Sequence, residues 1–100
     1  MLRLRLLAAA RQELVEASSQ IEAARRGYGE AFLNLFDEKV LLLLEHPNMG
    51  PRIEGRVRSL SMLDFPYKII YAPSGDVLLI IAVAHHRRRP GYWSDRLPAG

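Results

Sequence analysis

The residues best equipped for chemistry lie together near the C-terminus, in the run Ala84-His85-His86-Arg87-Arg88-Arg89-Pro90-Gly91-Tyr92-Trp93-Ser94-Asp95-Arg96. Guanidinium groups are planar, forked donors that match phosphate and carboxylate oxygens. Tyr92 and Trp93 present flat faces that stack on nucleobases or anchor a protein interface. Taken alone, Arg87, Arg88 and Arg89 read as an ordinary solvated face. Pro90 and Gly91 directly after them favour an ordered turn over a floppy tail. His85 and His86 are adjacent, so on a strand they point to opposite faces and are poorly placed to share a metal ion. An adjacent pair can still supply one acid/base group, and plain burial or exposure of each is the alternative.

Arg58 is the next candidate. It has the parity of Leu60 and Met62 on a strand, so its head group either snorkels at the sheet rim or projects into a site facing the C-terminal run. Arg52 and Arg56 add charge just before it.

Several chemistries are absent. There is no cysteine, which removes disulfides, zinc ribbons and a cysteine nucleophile. The sequence has no phosphate-binding P-loop, no GxSxG and no HExxH. In the second half Glu54, Asp64, Asp76 and Asp95 are scattered singly, without the carboxylate pair of a glycosidase or a metal-dependent nuclease. No cofactor and no metal are expected. The residues leave two readings: a binding module with a basic face, or a metal-free RNA-cleaving site built from Arg, His and Tyr.

Charge is distributed to suit either. Residues 1–50 carry six Lys/Arg and seven Asp/Glu, a net of −1, whereas residues 51–100 carry eight and four, a net of +4. The positive potential belongs to the second half and attracts an acidic surface, nucleic acid or an acidic protein segment.

These residues need a scaffold, and 100 residues suit one domain spanning 1–100. The N-terminus superficially imitates a signal peptide. Its uninterrupted apolar run, Leu6 to Ala10, is shorter than the ~7–15 residues such a segment needs, and no stretch reaches transmembrane length. A cytoplasmic protein is expected. The alternation of Leu2, Leu4 and Leu6 with Arg3 and Arg5 predicts a strand. Helical spacing follows: Leu14, Ala17, Ile21, Ala24 and Tyr28 form one stripe, with Glu13, Glu16, Glu22, Arg25 and Arg26 mostly off it. Gly27 is placed to end this helix. A second helix is expected from about Glu30, with Phe32, Leu35, Phe36, Val40, Leu43 and Leu44 on its core face, ending at His46-Pro47. Together they predict an antiparallel helical hairpin.

The period then becomes that of strands: Val57 to Leu63, Pro66 to Ala72 and Val77 to Ala84, with a tight reversal at Pro73-Ser74-Gly75-Asp76. Short connections imply an antiparallel meander. The last strand is apolar at both parities, so both its faces must be covered. The hairpin covers one; the C-terminal segment or a partner must cover the other.

The order strand, two helices, three-stranded meander resembles the RelE/ParE superfamily of type II toxin–antitoxin toxins. So do His46-Pro47 with Gly50-Pro51, Val57-Arg58-Ser59-Leu60, Phe65-Pro66-Tyr67-Lys68-Ile69-Ile70-Tyr71, and Ala82-Val83-Ala84-His85 leading into Arg88-Arg89-Pro90-Gly91-Tyr92-Trp93. The resemblance implies an α+β fold of β-α-α-β-β-β order, a helical hairpin packed on a small, mainly antiparallel sheet. It implies a growth-inhibiting toxin neutralised by a cognate antitoxin that wraps across its sheet and helices. RelE-like members cleave mRNA in the ribosome without metal, using basic residues and often a C-terminal Tyr or His; ParE-like members inhibit DNA gyrase. The Pro-Gly-Tyr-Trp ending and the long hairpin look ParE-like. Arg58, His85, Arg88 and Tyr92 match the RelE-like set only in part, with no lysine cluster and no evident Glu base on the first meander strand. The expectation is therefore a gyrase-directed toxin, with a ribosome-dependent mRNA endonuclease as the alternative and a non-toxic partner-binding protein as a third reading. The candidate target-binding or active-site residues are Arg58, His85, Arg87, Arg88, Arg89, Tyr92 and Trp93.

Overall fold

A computed structural model describes residues 2–97; the ends of the expected 1–100 domain, residue 1 and residues 98–100, lie outside the described residues. The alternating N-terminus forms β1 (Arg3–Leu6), followed by α1 (Ala8–Ala24), α2 (Tyr28–Glu45), β2 (Arg52–Glu54), β3 (Val57–Met62), β4 (Tyr67–Ser74) and β5 (Val77–His85). A single 3-10 turn, Ser94–Arg96, ends the described elements. The five strands form one sheet in the order β1-β5-β4-β3-β2. β1 runs parallel to β5, and the other neighbours are antiparallel. This is the expected plan, with one addition. β2 went unforeseen because its three residues are all exposed and too few to display a period.

The hairpin forms because two apolar stripes meet. Phe32, Phe36, Val40 and Leu43 of α2 are buried with Ala10 and Ala17 of α1 against the sheet, and Leu14, Ile21, Leu35 and Leu44 pack around them. Phe32 is fully buried and meets Phe65 and Tyr67 edge-on, with ring centroids 5.1 and 5.2 Å away. Burying such a ring contributes about 2–3 kcal/mol, and Phe32→Ala would cost about 3–5 kcal/mol once the cavity is included.

Two local expectations need correction. α1 ends at Ala24 with Arg25 as an extended cap, and Gly27, at φ +88°, begins α2 instead of ending α1. α2 therefore starts at Tyr28, and Ala24 and Tyr28 are exposed instead of completing the α1 stripe. The cause is Glu22, whose carboxylate reaches back and accepts the amides of Gly27 and Gly29 at 3.0 Å. That supplies the acceptors a helix start needs. Gly29 is required by packing: a Cβ there would come within 2.7 Å of the Ser18 carbonyl oxygen.

β5 is apolar at both parities because both its faces are covered, and a bulge exchanges the two parities part-way along. Ile70 pairs with Ala82 but the next residue, Tyr71, pairs with Ile80, leaving Ile81 without a partner. Leu78, Ile80 and Val83 face the helices, whereas Ile81, Ala82 and Ala84 face the other side with Val57, Ile70 and Ala72. Trp93, 4% exposed, covers that second face together with Tyr92 and Leu97. Of the two expected covers, the C-terminal segment thus supplies one.

Candidate functional site

β1 ends opposite Ile80, where the Leu7 amide donates to the Ile80 carbonyl. Beyond that point β5 has no strand on this side, and its polar groups need other partners. A carboxylate and a guanidinium supply them. Glu13, on α1, accepts the Val83 amide at 3.1 Å, and Arg96 Nη1 donates to the Ile81 carbonyl at 3.2 Å. The two side chains also pair with each other through Arg96 Nη1 at 2.8 Å and Nη2 at 3.0 Å, a bidentate geometry of the stronger kind. Burial pushes the Glu13 carboxyl up, but Arg96, Tyr92 and the Val83 amide together hold it below its ordinary value. The Glu13 bond raises Arg96 further.

Tyr92 completes this network by donating its phenolic hydrogen to Glu13 at 2.7 Å. Burial, the Glu13 bond and the Glu13 charge push its pKa up to about 12. The exposed guanidinium of Arg88 lies over the Tyr92 ring, 4.0 Å from its centroid, with Arg96 at 5.1 Å. Next to them, His85 stands edge-on to Tyr67 at 5.0 Å, and its Nδ1 accepts the Arg87 amide at 3.0 Å. Neutral His85 therefore carries its proton on Nε2. His85, Arg88, Tyr92 and Tyr67 of this side, with Glu13, Glu16 and Gln20 of α1, line a cleft of about 230 Å3.

The sequence candidates thus divide. His85, Arg88 and Tyr92 share the cleft. Arg87 and Arg89 are exposed beside it, and among the described residues neither has an ionic partner. Trp93 is a buried anchor on the opposite face. Arg58 is elsewhere. In register it sits beside Tyr71, which pairs with Ile80, whereas His85 aligns with Tyr67 and Met62 at the other end of the sheet. Two strand spacings and four residues of rise separate the backbone positions, about 16 Å, beyond the ~8 Å over which exposed charges interact at physiological salt. The possible shared basic well of Arg58 with Arg87 to Arg89 therefore does not form. Arg58 instead donates to the carbonyls of Asn48 at 3.1 Å and Gly50 at 2.7 Å, clamping the loop after α2. Tyr71 helps, accepting the Gly50 amide and donating to the Pro47 carbonyl, each at 2.9 Å.

Glu13 and Arg96 were missed as site residues. Spacing places Glu13 mostly off the stripe, yet it lies three residues after Ala10 and four before Ala17, both buried; a carboxylate on that line is the available signal. Among the described residues, no three His, Asp or Glu side chains converge to hold a metal ion.

A search of curated protein sequences finds no significant match. The model of the family described as "ParE toxin of type II toxin-antitoxin system, parDE" matches residues 4–90. The chain belongs to the ParE toxin family. Its fold agrees: a solved chain from the chromosomal ParDE toxin–antitoxin system of P. aeruginosa superposes with a TM-score of 0.62, covering 85% of this chain and 96% of that one at 16% identity. As a ParE-family protein it has the role of toxin in a type II toxin–antitoxin system. The family match ends at Pro90, so Tyr92, Trp93 and Arg96 complete the site from beyond the matched segment.

Proposed function

We propose that this chain arrests bacterial growth by acting on DNA gyrase, and that a cognate antitoxin neutralises it by binding the toxin as a hetero-oligomer. The observation that carries this reading is the ParE-family match over nearly the whole chain. The ordered basic strap, residues 87–97, supports it, since three exposed arginines on a firm base suit an acidic partner surface. The target lies in the cytoplasm, which is where the toxin would work; no helix among the described residues is long and apolar enough to cross a membrane.

The mRNA-endonuclease reading is less well supported by the chemistry of the strap. A phenol raised to about 12 and bonded to a carboxylate is almost never the phenolate base at neutral pH. Purified protein should therefore block gyrase supercoiling or trap cleaved DNA, and leave mRNA on translating ribosomes intact. Codon-positioned cuts with gyrase unaffected would reverse the ranking. Expression alone should stop growth, and co-expression with the antitoxin should restore it; normal growth in the presence of folded protein would favour the non-toxic reading.

A further inference from the structure

We propose that Glu13 is the positioning residue of the basic strap: from the helical hairpin it holds Tyr92 and Arg96, and through Tyr92 it sets where Arg88 presents its charge to the target. The inference rests on the reading of residues 87–93 as the target-binding surface.

Hydrogen bonds converge on this one carboxylate from two other parts of the chain. Tyr92 and Arg96 reach it from the strap, and the Val83 amide from β5. The backbone bonds within the strap are short-range, such as Tyr92 amide to Arg89 carbonyl at 3.2 Å and Ser94 amide to Gly91 carbonyl at 3.0 Å. They shape each turn but do not fix the turns against the sheet. From Arg87 to Leu97, among the described residues, the hydrogen bonds that leave this segment for the rest of the fold end on Glu13 or on the Ile81 carbonyl, apart from those of the Arg87 and Arg88 amides to neighbouring His85, which hold only the first turn. Trp93 adds an apolar contact, which is not directional. Beyond that first turn, directional hold therefore comes from Glu13 and Arg96. Because the Arg88 guanidinium rests 4.0 Å above the Tyr92 ring, orienting the phenol also orients the cation. Glu13 itself is largely covered, its side chain 18% exposed, so it acts without presenting itself as a target contact.

Trp93 is the chain's single tryptophan and reports strap docking directly. The experiment compares wild type, Glu13→Ala, Glu13→Gln and the charge-matched control Glu38→Ala in the full chain. Trp93 emission and acrylamide quenching, far-UV circular dichroism and gyrase supercoiling are read on each. Glu13→Ala should keep its helix signal while Trp93 emission shifts to the red and quenching rises. If only about a tenth of molecules keep the strap docked, the concentration for half-inhibition should rise roughly tenfold. Glu13→Gln, which keeps an acceptor but not the charge, should fall between, and Glu38→Ala should match wild type. Buried, unquenched Trp93 in a folded Glu13→Ala overturns the proposal, as does a released strap with unchanged gyrase inhibition. If Glu13→Ala fails to fold, Glu13→Gln decides by the same two criteria. If wild type itself leaves gyrase active, the function reading fails, and the Trp93 comparison alone then decides whether Glu13 holds the strap.

Discussion

Tyr92 donates its phenolic hydrogen to Glu13 across 79 residues of chain, at 2.7 Å. The bond ties the first helix to the turn that follows β5. Neither end can complete the site before the sheet between them has formed. A contact of such long sequence separation carries a high loop-closure cost, so docking of the strap belongs late in folding.

The same bond predicts alkaline behaviour. Burial, the Glu13 hydrogen bond and the Glu13 charge raise the Tyr92 phenol from 10.0 to about 12. A group raised on folding contributes stability that is fully present below its unfolded value and is lost as pH rises through the folded one. Stability should therefore decline between about pH 10 and 12. Burial raises Tyr67 and Tyr71 as well, so a tyrosinate absorbance titration should contain a late component, and Tyr92→Phe should remove one phenol's share of it. An unchanged titration curve in the mutant would contradict the assignment.

At the acid end the sign reverses. Glu13 is held below its ordinary 4.5, so its contribution is present above that value and fades as pH falls through the lower folded one. Glu13→Gln should cost about 1–3 kcal/mol at neutral pH, the range for a hydrogen-bonded charged group. In a chain of this size that lowers the melting point by roughly 5–20 °C. Melting curves of wild type and mutant should converge as the medium is made more acidic; a constant gap would show that Glu13 works by packing alone.

Arg58→Ala should weaken stability, not the basic strap. It removes the donors to the Asn48 and Gly50 carbonyls, a loss of about 1–3 kcal/mol. Trp93 emission, which reads the strap, should remain as in wild type. A normal melting point with abolished gyrase inhibition would instead make Arg58 a direct target contact.

Gly50 sits where no side chain fits. An added Cβ would overlap the Ser59 backbone carbonyl and come within 2.9 Å of the Tyr71 hydroxyl. A backbone oxygen in a strand cannot swing aside, so Gly50→Ala should cost about 3 kcal/mol or more, in the range of severe overpacking. Thermal unfolding of the variant measures this directly, and a melting point near wild type would refute it.

Arg88→Ala should reduce growth arrest far more than Arg25→Ala. The two are structurally matched, since Arg25 also rests on a tyrosine, 4.2 Å from the Tyr28 centroid. Each loses an exposed cation–π contact of about 0.5–1 kcal/mol, so melting points should fall equally little. Growth assays beside thermal melts then isolate location. Equal toxicity in both would make the strap a solvated face.

What could be read from the residues was what repeats locally. Phe32, Phe36, Val40 and Leu43 announce a buried helix face by spacing, and the β3–β5 meander is announced by short turns between apolar runs. Register is not local. Whether Arg58 lies near or far from Arg88 depends on which ends of β3 and β5 align through β4, and no residue in either strand encodes that alone. Glu13 was hidden for a related reason: its partners Tyr92 and Arg96 follow at separations of 79 and 83 residues, where no periodicity operates. His85, Arg88 and Tyr92 were legible as a group because they are close in sequence and the Pro90-Gly91 turn folds them back.

The unpaired Ile81 acts as a phase shift in β5. Before it, the strand keeps time with β1; after it, the strand keeps time with the hairpin and strap. Pairing the same residues straight through, with Ile81 in register instead of bulged, would bring both halves into a single phase. Val83 and His85 would then turn to the face now occupied by Trp93. The Glu13 carboxylate would lose its amide, Tyr67 would lose its imidazole neighbour, and the cleft would come apart with every one of its side chains still encoded. The two halves of the strand can vary independently, each answering to its own neighbours, for as long as the extra residue separates them.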